Sequence, residues 1–95
     1  MKKNNSKTKT DKQLERHFKG VANHHRIAIL ILVCKNPKIT LEEIAETLNC
    51  NIKTISEHTR RLVQAGLLNK SYVGRKVEHT ISPYGKYFYD FIQQF

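Results

Sequence analysis

Hydrophobic positions recur along this chain with two different periods, which divide it into helices and a hairpin. Apolar residues return every three or four positions from Asp11 to Ala22, through HHRIAILILVCKN, through TLEEIAETLN and from Ile52 to Gly66, which predicts four helices. After Gly66 the period falls to about two in LLNKSYV and KVEHTIS, and Gly74–Arg75 between these runs predicts a hairpin turn. A last helix, PYGKYFYDFIQQF, follows. The predicted order is helix, helix, helix, turn, helix, hairpin, helix.

Residues suited to ending or starting a helix stand at the expected boundaries. Gly66 follows the fourth helix as a C′ glycine, and Asn49–Asn51 can form a tight turn before it because Asn tolerates the left-handed conformation. The short third helix, this turn and the fourth helix therefore predict a helix-turn-helix. The side chains that can cap the helices are Asp11, Asn23, Thr40 (with Glu43 at the spacing of a capping box), Asn51 and Ser82.

The fourth helix has two contrasting faces. Its apolar residues, with Thr59 between them, are expected to face the core: Ile52, Ile55, Leu62 and Val63. The opposite face carries side chains that can all form hydrogen bonds: Lys53, Thr54, Glu57, Arg61 and Gln64. Such a face can read base edges in a DNA major groove. The alternative is a solvated face on which Glu57 and Arg61, four residues apart, simply pair with each other.

Composition adds a strong positive charge. The chain has 17 Lys and Arg against 8 Asp and Glu, a net charge of +9, which favours a polyanion such as nucleic acid or an anionic membrane surface. Residues 1–12 hold five lysines and one aspartate, so the remaining 83 residues still carry 12 basic and 7 acidic groups. We expect residues 1–10 to be a disordered basic arm, either solvated or in contact with phosphates, and residues 11–95 to fold.

Several classes of protein are not expected. The longest apolar run, Ile27 to Cys34, is too short to cross a membrane, and no secretory signal is recognisable. The two cysteines form no CxxC pair and no disulfide framework, so a reducing cytoplasm is expected. His24 and His25 are adjacent and should point apart on a helix. Cys34 is expected in the core, and Cys50 is either a thiol without a role or a redox-sensitive one. No metal-ligand spacing and no catalytic motif occurs, so we expect no metal, no cofactor and no enzyme activity.

From Asn23 to about Lys86 the chain resembles winged helix-turn-helix transcription regulators of the ArsR type, and MarR-type regulators nearly as well. The resemblance rests on ANHHRIAILILV, on TLEEIAETLNCNIKTISEHTRRLVQAGLL, on VGRKVEHTIS at the wing and on SPYGK. It implies a mainly α fold with a small β-hairpin. Two departures concern metal sensing: KNPKITLEE holds no cysteine pair, and the last helix has Asp90 but no histidine.

Residues for DNA contact follow from the predicted faces and from the resemblance. Lys53, Thr54 and Glu57 lie in the first turns of the recognition helix, and the resemblance adds Ser56 and His58. Basic residues farther along the helix and at the hairpin tip should meet phosphates, as should the amides after Thr40. The full set is Thr40, Asn51, Lys53, Thr54, Ser56, Glu57, His58, Arg60, Arg61, Arg75 and Lys76.

The last helix predicts self-association. Its large apolar residues form one stripe, which is either the domain's own core or, left uncovered, a patch that a second copy would bury. A two-fold dimer would also place two recognition helices on successive turns of the groove. The expected interface comprises Leu14, Phe18, Tyr84, Tyr87, Phe88, Phe91, Ile92 and Phe95.

Together these patterns predict a homodimeric regulator that binds specific double-stranded DNA sequences and acts as a repressor. The alternative is a winged-helix module that binds another protein and no longer contacts DNA.

Overall fold

The computed structural model describes residues 9–95, which fold into five helices and three short strands. The helices are α1 (Asp11–Val21), α2 (His24–Lys35), α3 (Leu41–Thr47), α4 (Ile52–Gln64) and α5 (Pro83–Ile92). The strands are β1 (Ile39–Thr40), β2 (Leu68–Val73) and β3 (Lys76–Ile81). The predicted order of helices and hairpin is confirmed, and β1 is added to it. Of the predicted basic arm, residues 1–8 lie outside the described residues.

Local capping explains where the helices begin. Asn23, Thr40, Asn51 and Ser82 each accept a hydrogen bond from a backbone N–H of the helix that follows, as predicted. The prediction that Asp11 caps α1 is wrong. The Thr10 hydroxyl accepts from the Gln13 N–H at 3.1 Å, and the Gln13 side chain accepts from the Thr10 N–H at 2.8 Å. Asp11 lies in the first turn, where its charge favours the helix dipole.

The segment between α4 and β2 contacts the end of α4 and the start of α5. Gly66 has a φ of +76°, and the N–H groups of Gly66 and Leu67 donate to Val63 and Leu62, which is a Schellman motif. The Ser82 hydroxyl then donates to the Gly66 carbonyl at 2.6 Å, just before α5. A Cβ atom at Gly85 would overlap the Leu67 carbonyl, so the first turn of α5 lies directly on this junction.

The hairpin belongs to a three-stranded antiparallel sheet with the order β1-β3-β2. Val73 lies opposite Lys76, so Gly74–Arg75 is a two-residue turn, and Gly74 has a φ of +63°. The strand β1 was not predicted because two residues carry no period, and its partners in β3 lie about forty positions later in the chain.

The core surrounds α2, the most apolar helix. Ile29, Leu30 and Val33 of α2 are completely buried, together with residues of α3, α4 and the segment before β2. On α4 the buried residues are Ile55, Thr59 and Leu62. The prediction that Ile52 faces the core is wrong, since Ile52 lies in the first turn, beyond the edge of the core, and is 42% exposed.

Cys34 and Cys50 are both free and half-buried, and Cys50 packs against the core. Within residues 9–95 no helix has the length and apolar character needed to cross a membrane.

Candidate nucleic-acid interface

The first turns of α4 present polar side chains to solvent. Asn49, with a φ of +53°, reverses the chain before α4, and the Asn51 side chain caps the helix by accepting from the Lys53 N–H at 2.7 Å. Lys53, Thr54 and Ser56 are exposed. Because they lie in the first turns, beside buried Ile55, these side chains project away from the core. This is the arrangement that a helix needs to enter a groove N-terminus first.

Glu57 is bound by both neighbouring arginines. Its carboxylate accepts from Arg60 Nη2 at 2.7 Å and from Arg61 Nε at 2.9 Å. These hydrogen bonds lower the pKa of Glu57 to about 2, so the group stays ionised near neutral pH. The predicted alternative pairing of Glu57 with Arg61 therefore occurs, and Arg60 takes part as well. Glu57 has to leave this cluster before it can contact a base.

His58 turns towards α2 and away from the exposed set. Its Nδ1 atom lies 3.3 Å from Arg26 Nη1, and its ring stacks on His25 with centroids 5.1 Å apart. Burial, followed by the charges of Arg26 and His25, lowers the pKa of His58. The expectation that His24 and His25 point apart is wrong, because their ring centroids are 4.2 Å apart. His58 thus packs α4 against α2.

Thr40 is engaged within the protein. It is buried, its hydroxyl accepts from the Glu43 N–H at 3.2 Å, and its own N–H donates to the Glu43 carboxylate at 2.9 Å. Glu42 and Glu43 also place two negative charges in the first turn of α3. Thr40 is therefore a capping residue, and the start of α3 is unfavourable for a phosphate.

The tip of the hairpin carries two exposed basic groups. Arg75 and Lys76 are exposed at the β2–β3 turn. Lys70 and Tyr72 on β2 add a cation and an aromatic ring, with the Lys70 ammonium 5.6 Å from the ring centroid. Lys70 and Tyr72 were not predicted as DNA contacts. Their spacing of two residues along a predicted strand, which places both on one face of the hairpin next to the recognition helix, could have indicated them.

The aromatic stripe divides into two parts. Phe88 and Ile92 pack against the core, whereas Tyr87 is 67%, Phe91 55% and Phe95 91% exposed. Leu14 and Phe18 of α1 lie beside the exposed part, and the Phe18 and Phe88 rings meet edge to face at 5.0 Å. Together α1 and α5 form a mostly apolar groove of about 410 Å³. The residues predicted for the dimer interface thus lie on one surface, of which only the inner edge belongs to the core.

Among residues 9–95, no three His, Cys, Asp or Glu side chains come together in a way that could hold a metal ion.

Comparison with known proteins agrees with this geometry. Residues 23–69 match the family model described as winged helix-turn-helix DNA-binding. No curated protein matches the chain. Among solved structures, HlyU from Vibrio cholerae is similar with a TM-score of 0.79 and 23% identity, over 87% of this chain and 90% of that one.

Two further structures represent the families that the sequence resembles. One is the homodimeric winged helix-turn-helix DNA-binding domain of Mb0332 from Mycobacterium bovis, described as a possible ArsR-family regulator. Its TM-score is 0.78 at 23% identity, over 92% of this chain and 86% of that one. The other is MarR, with a TM-score of 0.74 at 19% identity, over 86% of this chain and 63% of that one. The family match and the shared fold together identify a winged helix-turn-helix DNA-binding domain in this chain.

Proposed function

We propose that this protein is a homodimeric transcription regulator of the ArsR type that binds specific double-stranded DNA sequences. The observation that carries the proposal is the exposed polar start of α4, directly after a tight turn and beside a basic hairpin tip. This combination is typical of a recognition helix and a wing that bind DNA, whereas a polar helix that is only solvated does not require it.

The contacts divide by chemistry. Lys53, Thr54 and Ser56 have the position and the hydrogen-bonding groups to read base edges, and Asn51 stands at the same end of α4. Arg60 and Arg61 would meet phosphates, and the hydrogen bonds from both guanidinium groups to Glu57 support this role by fixing their directions. Arg75 and Lys76 would reach the backbone or minor groove from the wing.

The exposed aromatic surface of α1 and α5 supports the dimer. Large aromatic residues that are more than half exposed are costly in water, and a two-fold partner would bury them. The Mb0332 domain of similar fold is homodimeric. We infer that the dimer acts as a repressor, because occupying an operator requires only the DNA-binding surface. A cytoplasmic location fits two unpaired cysteines.

The test is selection of bound sites from random duplexes, followed by salt titration on the selected site. The logarithm of affinity should fall steeply with the logarithm of salt concentration, because each phosphate contact releases counterions. Thr54→Ala should change the preferred sequence. Arg75→Ala should weaken all sequences alike and reduce the salt slope by about one.

Lys35→Ala, on α2, removes the same charge as Arg75→Ala and is the matched control. Binding that does not change between low and physiological salt would contradict the proposal. Neutral results at Lys53, Thr54 and Arg75 together would favour the protein-binding module instead.

A further inference from the structure

A groove of about 220 Å³ lies where α1, the start of α2 and the end of α4 meet. A Cβ atom at Gly20 would overlap the Cβ of Ala65, and His17 Nδ1 lies 2.7 Å from the Ala65 carbonyl oxygen, so α1 packs directly on the end of α4. Basic side chains from three helices line the groove: Arg16 and Lys19 of α1, Arg26 of α2 and Arg61 of α4. Of these four, only Arg61 was predicted from the sequence to contact DNA.

The groove carries an excess of positive charge. Within residues 9–95 no acidic side chain lines it. Lys19 and Arg61 each pair with a carboxylate of their own helix, at 3.1 and 2.9 Å, whereas Arg16 and Arg26 form no salt bridge with any of the described residues. Two of the four cations are therefore uncompensated there, and together they would attract an anion.

Basic side chains thus border α4 on two sides. Arg61 lines the groove beside α1 and α2, whereas Arg60 lines the cavity between α4 and the hairpin, together with Lys70. Consecutive residues of a helix point roughly 100° apart. Glu57, which accepts hydrogen bonds from both arginines, lies on the exposed face between them. One border of this face therefore belongs to α1 and α2, and the other to the hairpin.

The dimensions of B-DNA relate these two borders to its two strands. The major groove is about 12 Å wide and about 8.5 Å deep, and a helix with its side chains is about 10–12 Å across and rises about 1.5 Å per residue. A helix that enters N-terminus first therefore fills the width of the groove with about six residues inside it, here Ile52 to Glu57. Arg60 and Arg61 would then lie level with the rims, where one phosphate backbone runs along each side of the helix.

We propose that the groove between α1, α2 and α4 binds phosphates of one DNA strand, while Arg60 and Lys70 meet the other strand of the same half-site. This role of the groove rests on the proposed function and adds α1 and α2 to the DNA-binding surface. The ligand is the backbone of a duplex, because Arg61 makes the groove continuous with the polar face of α4.

The first measurement is a salt titration on the selected duplex with the full chain. Arg16→Ala removes an exposed cation, and it should weaken binding to all sequences alike and reduce the salt slope by about one. Arg16→Lys keeps the charge and should keep the slope. Lys35→Ala removes the same charge at the opposite end of α2, outside the groove, and should bind like the wild type.

The second measurement assigns the strands. Single phosphates of one half-site are replaced by uncharged methylphosphonates, on one strand at a time, and affinity is compared among the wild type, Arg16→Ala and Lys70→Ala. A phosphate that a side chain contacts should matter in the wild type and should matter no longer once that side chain is removed. The phosphates coupled to Arg16 should lie on one strand, and those coupled to Lys70 on the other.

An unchanged salt slope in Arg16→Ala, an equal loss in Arg16→Ala and Lys35→Ala, or coupling of Arg16 and Lys70 to the same strand would each overturn the proposal. With any of these results the proposed function still stands if the wild type binds DNA in a salt-dependent way and Thr54→Ala changes the preferred sequence. A wild-type chain that does not bind duplex DNA would overturn both.

Discussion

Glu57 holds two arginines on the helix that we propose enters DNA. One carboxylate neutralises part of the charge of Arg60 and Arg61 and fixes their directions. This pairing should limit how strongly α4 attracts any phosphate backbone, which gives an acidic side chain a physical role on the proposed DNA-binding face.

We predict that Glu57→Gln raises affinity for non-specific DNA and steepens its salt dependence, because two guanidinium groups become free for phosphates. The measurement is a salt titration on a duplex of arbitrary sequence. Glu15→Gln is the matched control, since Glu15 pairs with Lys19 on α1 at 3.1 Å and changes the net charge equally. If both variants gain alike, only net charge matters; if Glu57→Gln loses sequence preference instead, Glu57 reads a base.

We expect two histidines to make the stability of the fold depend on pH. The pKa values of His58 and His79 are lowered in the folded protein, chiefly by burial. Below the unfolded value of about 6.5 the unfolded chain therefore binds more protons than the folded one. We predict that the free energy of unfolding falls as the pH drops below about 6.5.

Urea unfolding at pH 7.5, 6.5 and 5.5 measures this effect, and His79→Gln should reduce the slope. A stability that is constant across this range would contradict the assignment.

At the scale of elements, Thr40 at the start of α3 has two candidate roles, as a helix cap and as a phosphate contact. Thr40→Ala removes the capping box and should cost about 0.5–2 kcal/mol of stability, measured by urea unfolding. DNA affinity of the folded protein should not change, because the hydroxyl is used within the chain. Thr40→Ser keeps the hydroxyl and is the control. Lost DNA affinity at unchanged stability would restore the phosphate contact expected from the sequence.

The elements that could be predicted are those with local causes. The caps at Asn23, Thr40, Asn51 and Ser82 act over two or three residues, and the helical period of α2 and α4 is visible within each segment. The strand β1 depends on residues far along the chain, and the exposure of Ile52 depends on where the core ends.

The same limit applies to the candidate site. The exposed start of α4 follows from its period, as do Arg75 and Lys76 from the hairpin turn. By contrast, His58 meets a residue of α2 that is 32 positions away, and the groove beside Arg61 requires α1, α2 and α4 to be packed together.

At the scale of the whole molecule, we propose that the aromatic surface of α5 forms the dimer interface. Burying an aromatic side chain contributes roughly 1.5–3 kcal/mol, and about 1.4 kcal/mol is a tenfold change in an equilibrium constant. We predict that Phe91→Asp yields a folded monomer with reduced DNA affinity, because Phe91 is already 55% exposed in one protomer. Sedimentation shows the change in mass.

Gln94→Asp adds the same charge near the end of the chain but outside the apolar groove, and should remain a dimer. If both variants stay dimeric, the interface lies elsewhere. If Phe91→Asp unfolds, the stripe is mainly the domain's own core.

The contact of Gly85 with the Leu67 carbonyl, together with the Ser82–Gly66 hydrogen bond, has a geometric consequence for that dimer. These contacts join the start of α5 to the end of α4 without a flexible link. In a pair of protomers joined through α5, the protein would then hold the two recognition helices at a fixed distance from each other. DNA turns once in about 10–10.5 base pairs, so an insertion of about five between two half-sites would turn one of them to the far side of the duplex. The affinity of the regulator would therefore depend on the helical phasing of the two half-sites as well as on their base sequence.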